Sequence, residues 1–570
     1  MRWRSVIFIL LAAALPVLLR GASLPITLRG ITHDPDHRPI AGALVTIHSM
    51  QSSFRAETRS NAEGEFEFQN ILPGKYVINA IAPGFAEVTQ PVAVTARDNP
   101  VIHLWLQIAA MKQAVRVSGA PAKLNTESST TQTVVTKRQI GETPGAGLTN
   151  SLAMITDYVP GAYMVHDMLH VRGGHQENWF FDGIPVINTS IASNVGPLIN
   201  PKNVESLQTQ TGGYSTEYGD RTYGFFNVIT PSGFSRNNEA DLITSYGGFN
   251  QTDNLLSFGS HTERFAYYAS VDGSRSDLGL STPTPEILHD QTSGLGGFAS
   301  VLFNPNASNQ FRLVTSVRGD HYQIPNDPDQ QAAGIRDIDN ERDVLVGAAW
   351  ARSTAGGTLL TVSPFYHFNR ADYIGGAGDT PFVLNDNRRS DYAGALATLA
   401  TTWGKHKASA GIEAWGQHDN TFFGLRANPG DKTLAQRFRP WANSEALFFE
   451  DQYKLTQWFT LNGGVRFSHY GGLISENAAS PRLGAAIHIP RLGWVLRGYY
   501  AQYYQPPPLD TVSGPLLSFA VQQGYGFVPL HGERDVQHDI GVSIPVRDWV
   551  VDVDNFRTSA QNFLDHDEIG

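Results

Sequence analysis

From residue 236 onward the sequence alternates apolar and polar residues over segments about ten residues long, and no other feature constrains the fold as tightly. In Phe459-Thr460-Leu461-Asn462-Gly463-Gly464-Val465-Arg466-Phe467 the odd positions are apolar or glycine and the even positions polar or glycine. Phe265, Tyr267, Ala269 and Val271 share a face by the same count, as do Phe311, Leu313 and Val317. Trp549, Val551 and Val553 oppose Asp552 and Asp554. Past the N-terminal region no apolar run reaches the roughly 20 residues of a membrane-spanning helix. A chain of this kind that crosses a membrane does so with strands. A soluble β-sandwich or propeller predicts shorter strands and blade repeats, and no repeat period is present. Tyr and Trp near strand ends, at Trp494, Tyr499-Tyr500 and Tyr503-Tyr504, suit an interfacial aromatic girdle.

We count about fifteen candidate strands between 236 and 557, against roughly 22 in the larger outer-membrane barrels with a filled lumen. An edge left open in lipid carries unsatisfied backbone groups, so the expectation is a truncated, partial barrel over 235–570.

The first 23 residues read as a signal peptide. Arg2 and Arg4 form a positive start, Val6–Leu19 is apolar, and Gly21 and Ser23 suit cleavage. The 570 residues include no Cys, which excludes disulfides, thiolate metal sites and thiol nucleophiles. A net charge of −11 argues against a nucleic-acid partner. No G-x-x-x-x-G-K-[ST] loop is present to hold a nucleotide.

Residues 24–108 read as short strands between turn signals. Asn61-Ala62-Glu63-Gly64 turns into Glu65-Phe66-Glu67-Phe68, and Leu72-Pro73-Gly74-Lys75 into Tyr76-Val77-Ile78. The segment resembles the carboxypeptidase-regulatory-like (transthyretin-like) β-sandwich, with Leu72-Pro73-Gly74-Lys75-Tyr76 one residue short of that family's L-P-P-G-x-Y turn. Neither H-x-x-E nor H-E-x-x-H occurs, so no zinc-peptidase activity is expected.

Residues 138–234 carry two blocks in order. Leu169-His170-Val171-Arg172-Gly173-Gly174 precedes Phe180-Phe181-Asp182-Gly183-Ile184-Pro185-Val186, and Val204–Gly212 precedes Tyr218-Gly219-Asp220 and Gly224-Phe225-Phe226-Asn227-Val228-Ile229-Thr230. This resembles the α+β plug domain of TonB-dependent outer-membrane receptors, in the Oar-like branch with a regulatory-like domain at the N-terminus. The motif residues that carry the resemblance are Arg172, Gly173, Asp182, Gly183, Tyr218, Gly219 and Asn227. The departures are Thr211, where a basic residue often precedes the family glycine, and Phe225, where a second glycine is usual. Asp182-Gly183 reads as a hairpin turn. Arg172, Glu205 and Arg221 are candidates for polar plug–barrel contacts, which break under load more readily than a continuous apolar core. An internal Arg172–Asp182 pair is the alternative to contacts with backbone or barrel.

Residues 109–137 read as a linker. Within it, Ala114-Val115-Arg116-Val117-Ser118 has the alternation of a strand that can add to another protein's sheet edge; the rival reading is the last strand of the sandwich. The resemblance implies that this segment is the TonB box, that a TonB-type energy-coupling protein and outer-membrane lipid are the partners, and that the sandwich and the box lie in the periplasm.

No cofactor or metal is expected. His166, His170 and His175 do not converge, since i and i+4 on a strand lie roughly 13 Å apart. Asp337-Ile338-Asp339-Asn340-Glu341 lacks the glycine and spacing of an EF-hand and reads as a solvated charged loop. No nucleophile–base constellation is evident, so the expected function is import of an unidentified ferric chelate, peptide or saccharide by energy-coupled plug displacement. The rivals are an outer-membrane adhesion or assembly protein and a passive porin.

Overall fold

A computed structural model describes residues 26–34, 39–50, 52, 54–82, 85, 87–95, 101–106, 126–143, 155–165, 168–174, 177–188, 198–262, 264–306, 308–354, 357–376, 378–379, 382–427, 433–509, 531–546 and 549–563. The chain divides into two compact units, the first built almost wholly from residues before 107.

The first unit is a sandwich of β1 (Ile26–His33), β2 (Leu44–Ser49), β3 (Arg55–Arg59), β4 (Glu65–Ile71), β5 (Gly74–Ile81), β6 (Val88–Val94) and β7 (Ile102–Trp105). Its sheets run β4-β1-β7 and β3-β2-β5-β6. Period-two alternation sends Phe66 and Phe68 to the same side, where their rings meet edge-to-face at 5.8 Å in a core with Leu28, Ile47 and Ile78.

The second unit begins with the plug. Its strands are β8 (Thr131–Thr136), β9 (Ala162–Val165), β10 (Met168–Val171), β11 (Glu177–Phe181), β12 (Ile184–Val186), β13 (Ser206–Gly212) and β14 (Gly224–Ile229). A five-stranded sheet runs β12-β11-β14-β13-β8, with β9 and β10 as a separate hairpin. The helix α1 (Lys137–Glu142) starts at a capping box, in which Thr136 and Gln139 satisfy each other's backbone N–H groups.

The wall follows as β15 (Glu239–Tyr246), β16 (Thr252–His261), β17 (Phe265–Ser276), β18 (Thr292–Asn306), β19 (Asn309–Gln323) and β20 (Ile338–Ser353). It continues through β21 (Leu359–Ile374), β22 (Phe382–Trp403), β23 (His406–Asp419), β24 (Thr421–Ala427), β25 (Thr433–Phe438) and β26 (Trp441–Lys454). The last strands are β27 (Phe459–Gly471), β28 (Ser475–Ile489), β29 (Trp494–Gln505), β30 (Glu533–Val546) and β31 (Trp549–Gln561). All seventeen form one antiparallel sheet. Strand β23 pairs directly with β26, while the hairpin β24–β25 extends the far end of β22 beyond the wall. Among the described residues β15 and β31 each pair on one side only. Asp339, Asn340 and Glu341 lie inside β20, with Glu341 buried, which corrects the reading of that run as a solvated loop.

The outer face of the wall is apolar. Leu313, Val317, Ile412, Leu447, Phe467 and Leu483 point outward, each 45% to 60% exposed, while their neighbours in sequence turn inward. A band of that extent belongs against lipid rather than water. The two rims differ: residues 404–405, 455–458 and 490–493 connect strands at one rim, and 277–291 and 324–337 at the other. Trp403, Trp458 and Trp549 stand exposed beside the short-connection rim. No described helix is long and apolar enough to cross a membrane.

Candidate functional site

The chemistry of this chain gathers where the plug meets the inner face of the wall. Three plug turns supply it, and in each the backbone is shaped to bring a polar group to the wall.

At the first turn Asp182 and Gly183 both have positive φ, 51° and 79°, the left-handed geometry of a two-residue hairpin. Asn227 Oδ1 accepts from Gly183 N at 3.0 Å and so holds the turn. The Asp182 carboxylate accepts from Thr230 N at 3.1 Å and pairs with Arg312 of β19 at 2.9 Å, both side chains almost wholly buried. At the second turn Arg172 Nη1 pairs with Asp539 Oδ2 of β30 at 2.8 Å, with side-chain exposures of 3% and 6%. Its guanidinium also lies 4.4 Å from the Phe556 ring centroid. Gly212 makes room for that pair, because a Cβ there would stand 2.5 Å from Asp539 Oδ2 and 2.6 Å from Arg172 Nη1. Arg172 and Asp182 therefore each meet a wall residue rather than one another.

The third turn, Tyr214–Asp220, is held most heavily. Arg482 of β28 donates to the carbonyls of Tyr214 (3.0 Å), Ser215 and Tyr218 (2.7 Å). Its guanidinium sits 4.9 Å from the Tyr214 ring and 4.7 Å from that of Tyr503, and these rings stack at 4.6 Å. Arg466 of β27 donates to the Glu217 carbonyl at 3.0 Å and pairs with Glu413 at 2.6 Å and Asp220 at 3.5 Å. Asp220 accepts further from Trp415 Nε1 and Ser444 Oγ, at 3.2 and 3.1 Å. Gly219 permits this approach, since a Cβ would lie 2.1 Å from Arg466 Nε. Beside it, Tyr223 donates to Glu533 at 2.6 Å.

Two named candidates do not reach the wall by hydrogen bond or ion pair. Glu205 pairs with Lys137, another plug residue, at 2.9 Å near the surface. Arg221 donates to the carbonyls of Asn188 and Asp220, both in the plug, and only its field extends to Tyr392 and Glu533 of the wall. Burial pushes the carboxyl of its neighbour Glu177 up to about 8, with Arg221 opposing the shift.

The tyrosines of β29 also correct the girdle reading. Tyr499, Tyr503 and Tyr504 are buried on the inner face, Tyr499 and Tyr503 against Tyr214. Alternation separates the two faces of a strand but does not say which one a plug covers. Arg312, Arg482, Glu413, Glu533 and Asp539 escaped the sequence reading altogether, and Asp220 and Arg466 were quoted there only for their motif and their alternation. The signal for those in the wall was a charged residue at an inward position of a strand, as Arg466 is in β27.

The interface is not purely polar. Plug residues Val135, Phe181, Phe226 and Val228 join Tyr268, Phe298, Val314, Leu345, Phe365 and Trp415 of β17–β23 in one apolar cluster. Phe225, at the departure from the family glycine, stacks on Tyr218 at 3.6 Å and packs with Leu396 and Phe448 of the wall.

Where the plug begins, Glu127 accepts from Lys407 and Lys454, each at 2.7 Å, and Gln452 Nε2 donates to its carbonyl at 2.7 Å. Both lysines sit at the short-connection ends of their strands. The segment Ala114, Val115, Arg116, Val117 and Ser118 lies outside the described residues, as do His166 and His175. His170 stacks on Tyr163 at 5.2 Å. Among the described residues no group of three or more His, Asp or Glu is arranged to hold a metal ion.

Comparison with known proteins decides the family. The carboxypeptidase regulatory-like domain matches residues 27–107, the TonB-dependent receptor plug domain 125–224, and the TonB-dependent receptor-like β-barrel 324–569. This chain belongs to the TonB-dependent receptors. The TonB-dependent transporter Oar of Myxococcus xanthus is 26% identical over 206 residues, 34% of this receptor; the match spans 19% of that relative. Among solved structures, the ferric-catecholate import receptor Fiu from E. coli K12 superposes with a TM-score of 0.57 and 18% identity, covering 77% of this receptor and 76% of that one. The ferric yersiniabactin uptake receptor FyuA from Yersinia pestis gives 0.59 and 14%, covering 76% and 72%. At these identities the likeness is one of fold. The receptor fold is that of an outer-membrane protein, and the family consists of receptors and transporters rather than enzymes.

Proposed function

We propose that this receptor imports a small ligand across the outer membrane by energy-coupled displacement of its plug. The short-connection rim faces the periplasm, as in outer-membrane barrels generally. The sandwich and the 114–118 segment lie on that side. A TonB-type protein pairs with Ala114–Ser118 as an added strand, and inner-membrane energy reaches the plug through it.

The observation that carries this reading is the Glu127 anchorage. The segment to be pulled leads within a few residues to a carboxylate held by two wall lysines at the periplasmic rim. Tension there acts first on contacts that water can replace. The relatives named above transport ferric-catecholate and ferric yersiniabactin, by their descriptions. We propose no narrower class than a small chelate, peptide or saccharide.

The chain contains no cysteine, so Val115→Cys introduces a single thiol. With a TonB-type periplasmic domain carrying one cysteine in its edge strand, a disulfide adduct is expected, and deletion of 114–118 removes ligand uptake. Absence of the adduct, or uptake surviving the deletion, would sink energy-coupled import; adhesion that persists after the deletion favours a binding protein.

A further inference from the structure

On the outer face of the wall, at the rim of long connections, three arginines stand side by side on adjacent strands. Arg342 of β20 lies directly opposite Arg370 of β21, and Arg370 directly opposite Arg389 of β22. In the next row outward, Asp372, Asn387, Phe422 and Arg437 follow one another across β21, β22, β24 and β25. Residues opposite each other on antiparallel strands share a face. That face is the outer one: Asn369 and Ala371 beside Arg370, and Ser390 beside Arg389, are buried inward.

Like charges directly opposite one another destabilise a sheet unless something neutralises them. The protein neutralises only part of this row. Arg370 Nε donates to Asp372 at 2.9 Å, and Arg389 donates to Asp391 through Nε at 3.0 Å and Nη2 at 3.3 Å. These carboxylates fix the two guanidinium planes and leave both Nη groups of Arg370 and the Nη1 of Arg389 outside the pairs. Among the described residues Arg342 is exposed with no ion pair, and Arg437 meets the Phe422 ring at 5.8 Å. Arg370, Arg389, Arg437, Asn387 and Phe422 line a cleft of about 240 Å³.

The row just below contains Phe368 and Trp441, the latter 63% exposed, on the same face. Outward aromatics of that kind mark the edge of the hydrocarbon layer. The arginines stand roughly 7 Å beyond it at about 3.3 Å per residue, the level of lipid headgroups. Planar guanidinium groups in a row suit the tetrahedral oxygens of phosphates.

We propose that Arg342, Arg370, Arg389 and Arg437 form a binding site for the phosphate groups of an outer-leaflet glycolipid. The site rests on the reading above that this rim faces outward from the outer membrane. A soluble phosphorylated ligand shares the chemistry, but the face points toward lipid rather than toward the plug.

The test uses the full chain in phosphatidylcholine nanodiscs containing bisphosphorylated lipid A, dephosphorylated lipid A or neither, and reads lipid A retained per chain. R342Q/R437Q leaves both aspartates paired, so folding is not at stake; R342Q/R370Q/R389Q/R437Q removes the whole site. Retention of the bisphosphorylated form is expected to fall about tenfold in the double variant and further in the quadruple one. Equal retention by wild type and both variants, or equal retention of the dephosphorylated lipid, overturns the site. Inorganic phosphate binding to wild type and lost in R342Q/R437Q, without lipid A selectivity, overturns the lipid as its source. Failure to enter any nanodisc overturns the membrane reading itself, whereas entry without selectivity overturns this site alone.

Discussion

Arg482 lies beside the stacked rings of Tyr214 and Tyr503 and donates to three carbonyls of one plug turn. Lysine in its place keeps the charge but loses the flat fork that reaches all three carbonyls while it meets both rings. Arg482→Lys is therefore expected to weaken docking of the turn by about 2 kcal/mol, the scale of a charge-assisted hydrogen bond. Hydrogen exchange at residues 213–218 checks this: it rises severalfold while exchange in β11 and β14 is unchanged. Glu177 makes a second residue-scale case. It is only partly buried as a residue, yet its Oε1 is sealed without a hydrogen-bond partner, and burial raises its pKa from 4.5 to about 8. The folded plug thus holds this proton more tightly than the unfolded chain does. The stabilisation is complete below the unfolded value and is lost as pH rises through the folded one, at up to about 1.4 kcal/mol per unit. Plug protection measured from about pH 5 to 8 should decline in the wild type and decline less in Glu177→Gln.

At the scale of elements, what was legible in the sequence was local. The Asp182-Gly183 pair announced a turn because both residues tolerate positive φ, and the structure has both there. The alternation of 459–467 separated Arg466 from Phe467, and the structure buries one and exposes the other. What could not be read was partnership across the chain. Nothing near Arg172 points to Asp539, and nothing near Asp182 points to Arg312; those contacts exist only once the wall has curled round the plug. Glu205 was misassigned for the same reason, since its acidic character is spent on nearby Lys137. The Glu127 anchorage is a similar long-range device, joining the first plug residues to β23 and β26. Lys407→Gln with Lys454→Gln removes both cationic partners from a carboxylate whose side chain is only 12% exposed. Exchange at β8 is expected to rise by several-fold with no change in β26–β27 pairing, read by mass spectrometry on the intact chain. Unchanged exchange at β8 would mean that the anchorage does not restrain the plug.

For the whole molecule, the arrangement of contacts bears on what displacement can mean. One side of the plug is joined to β17–β23 by a continuous apolar cluster together with the buried Asp182–Arg312 pair, and the other to β27–β30 mainly by arginines, carboxylates and tyrosines. Water can replace the polar contacts as it enters but gains nothing at the apolar cluster. Under the proposed tension the β27–β30 side, which lacks that cluster, is therefore expected to part first. That asymmetry has meaning only if the outer face sits in lipid, and the outer face supplies its own test. Leu447, midway along β26, is 59% exposed and sits opposite outward Ile412 and Phe467. On a soluble sheet Leu447→Arg would be nearly neutral, as surface substitutions usually are. At the middle of a bilayer the same change costs about 2–4 kcal/mol. Folding into phosphatidylcholine vesicles, titrated with urea, should show a loss of that size for Leu447→Arg, and a much smaller one for arginine at Trp441, which lies near the headgroups. Equal effects at the two depths would remove the bilayer from the account of this wall.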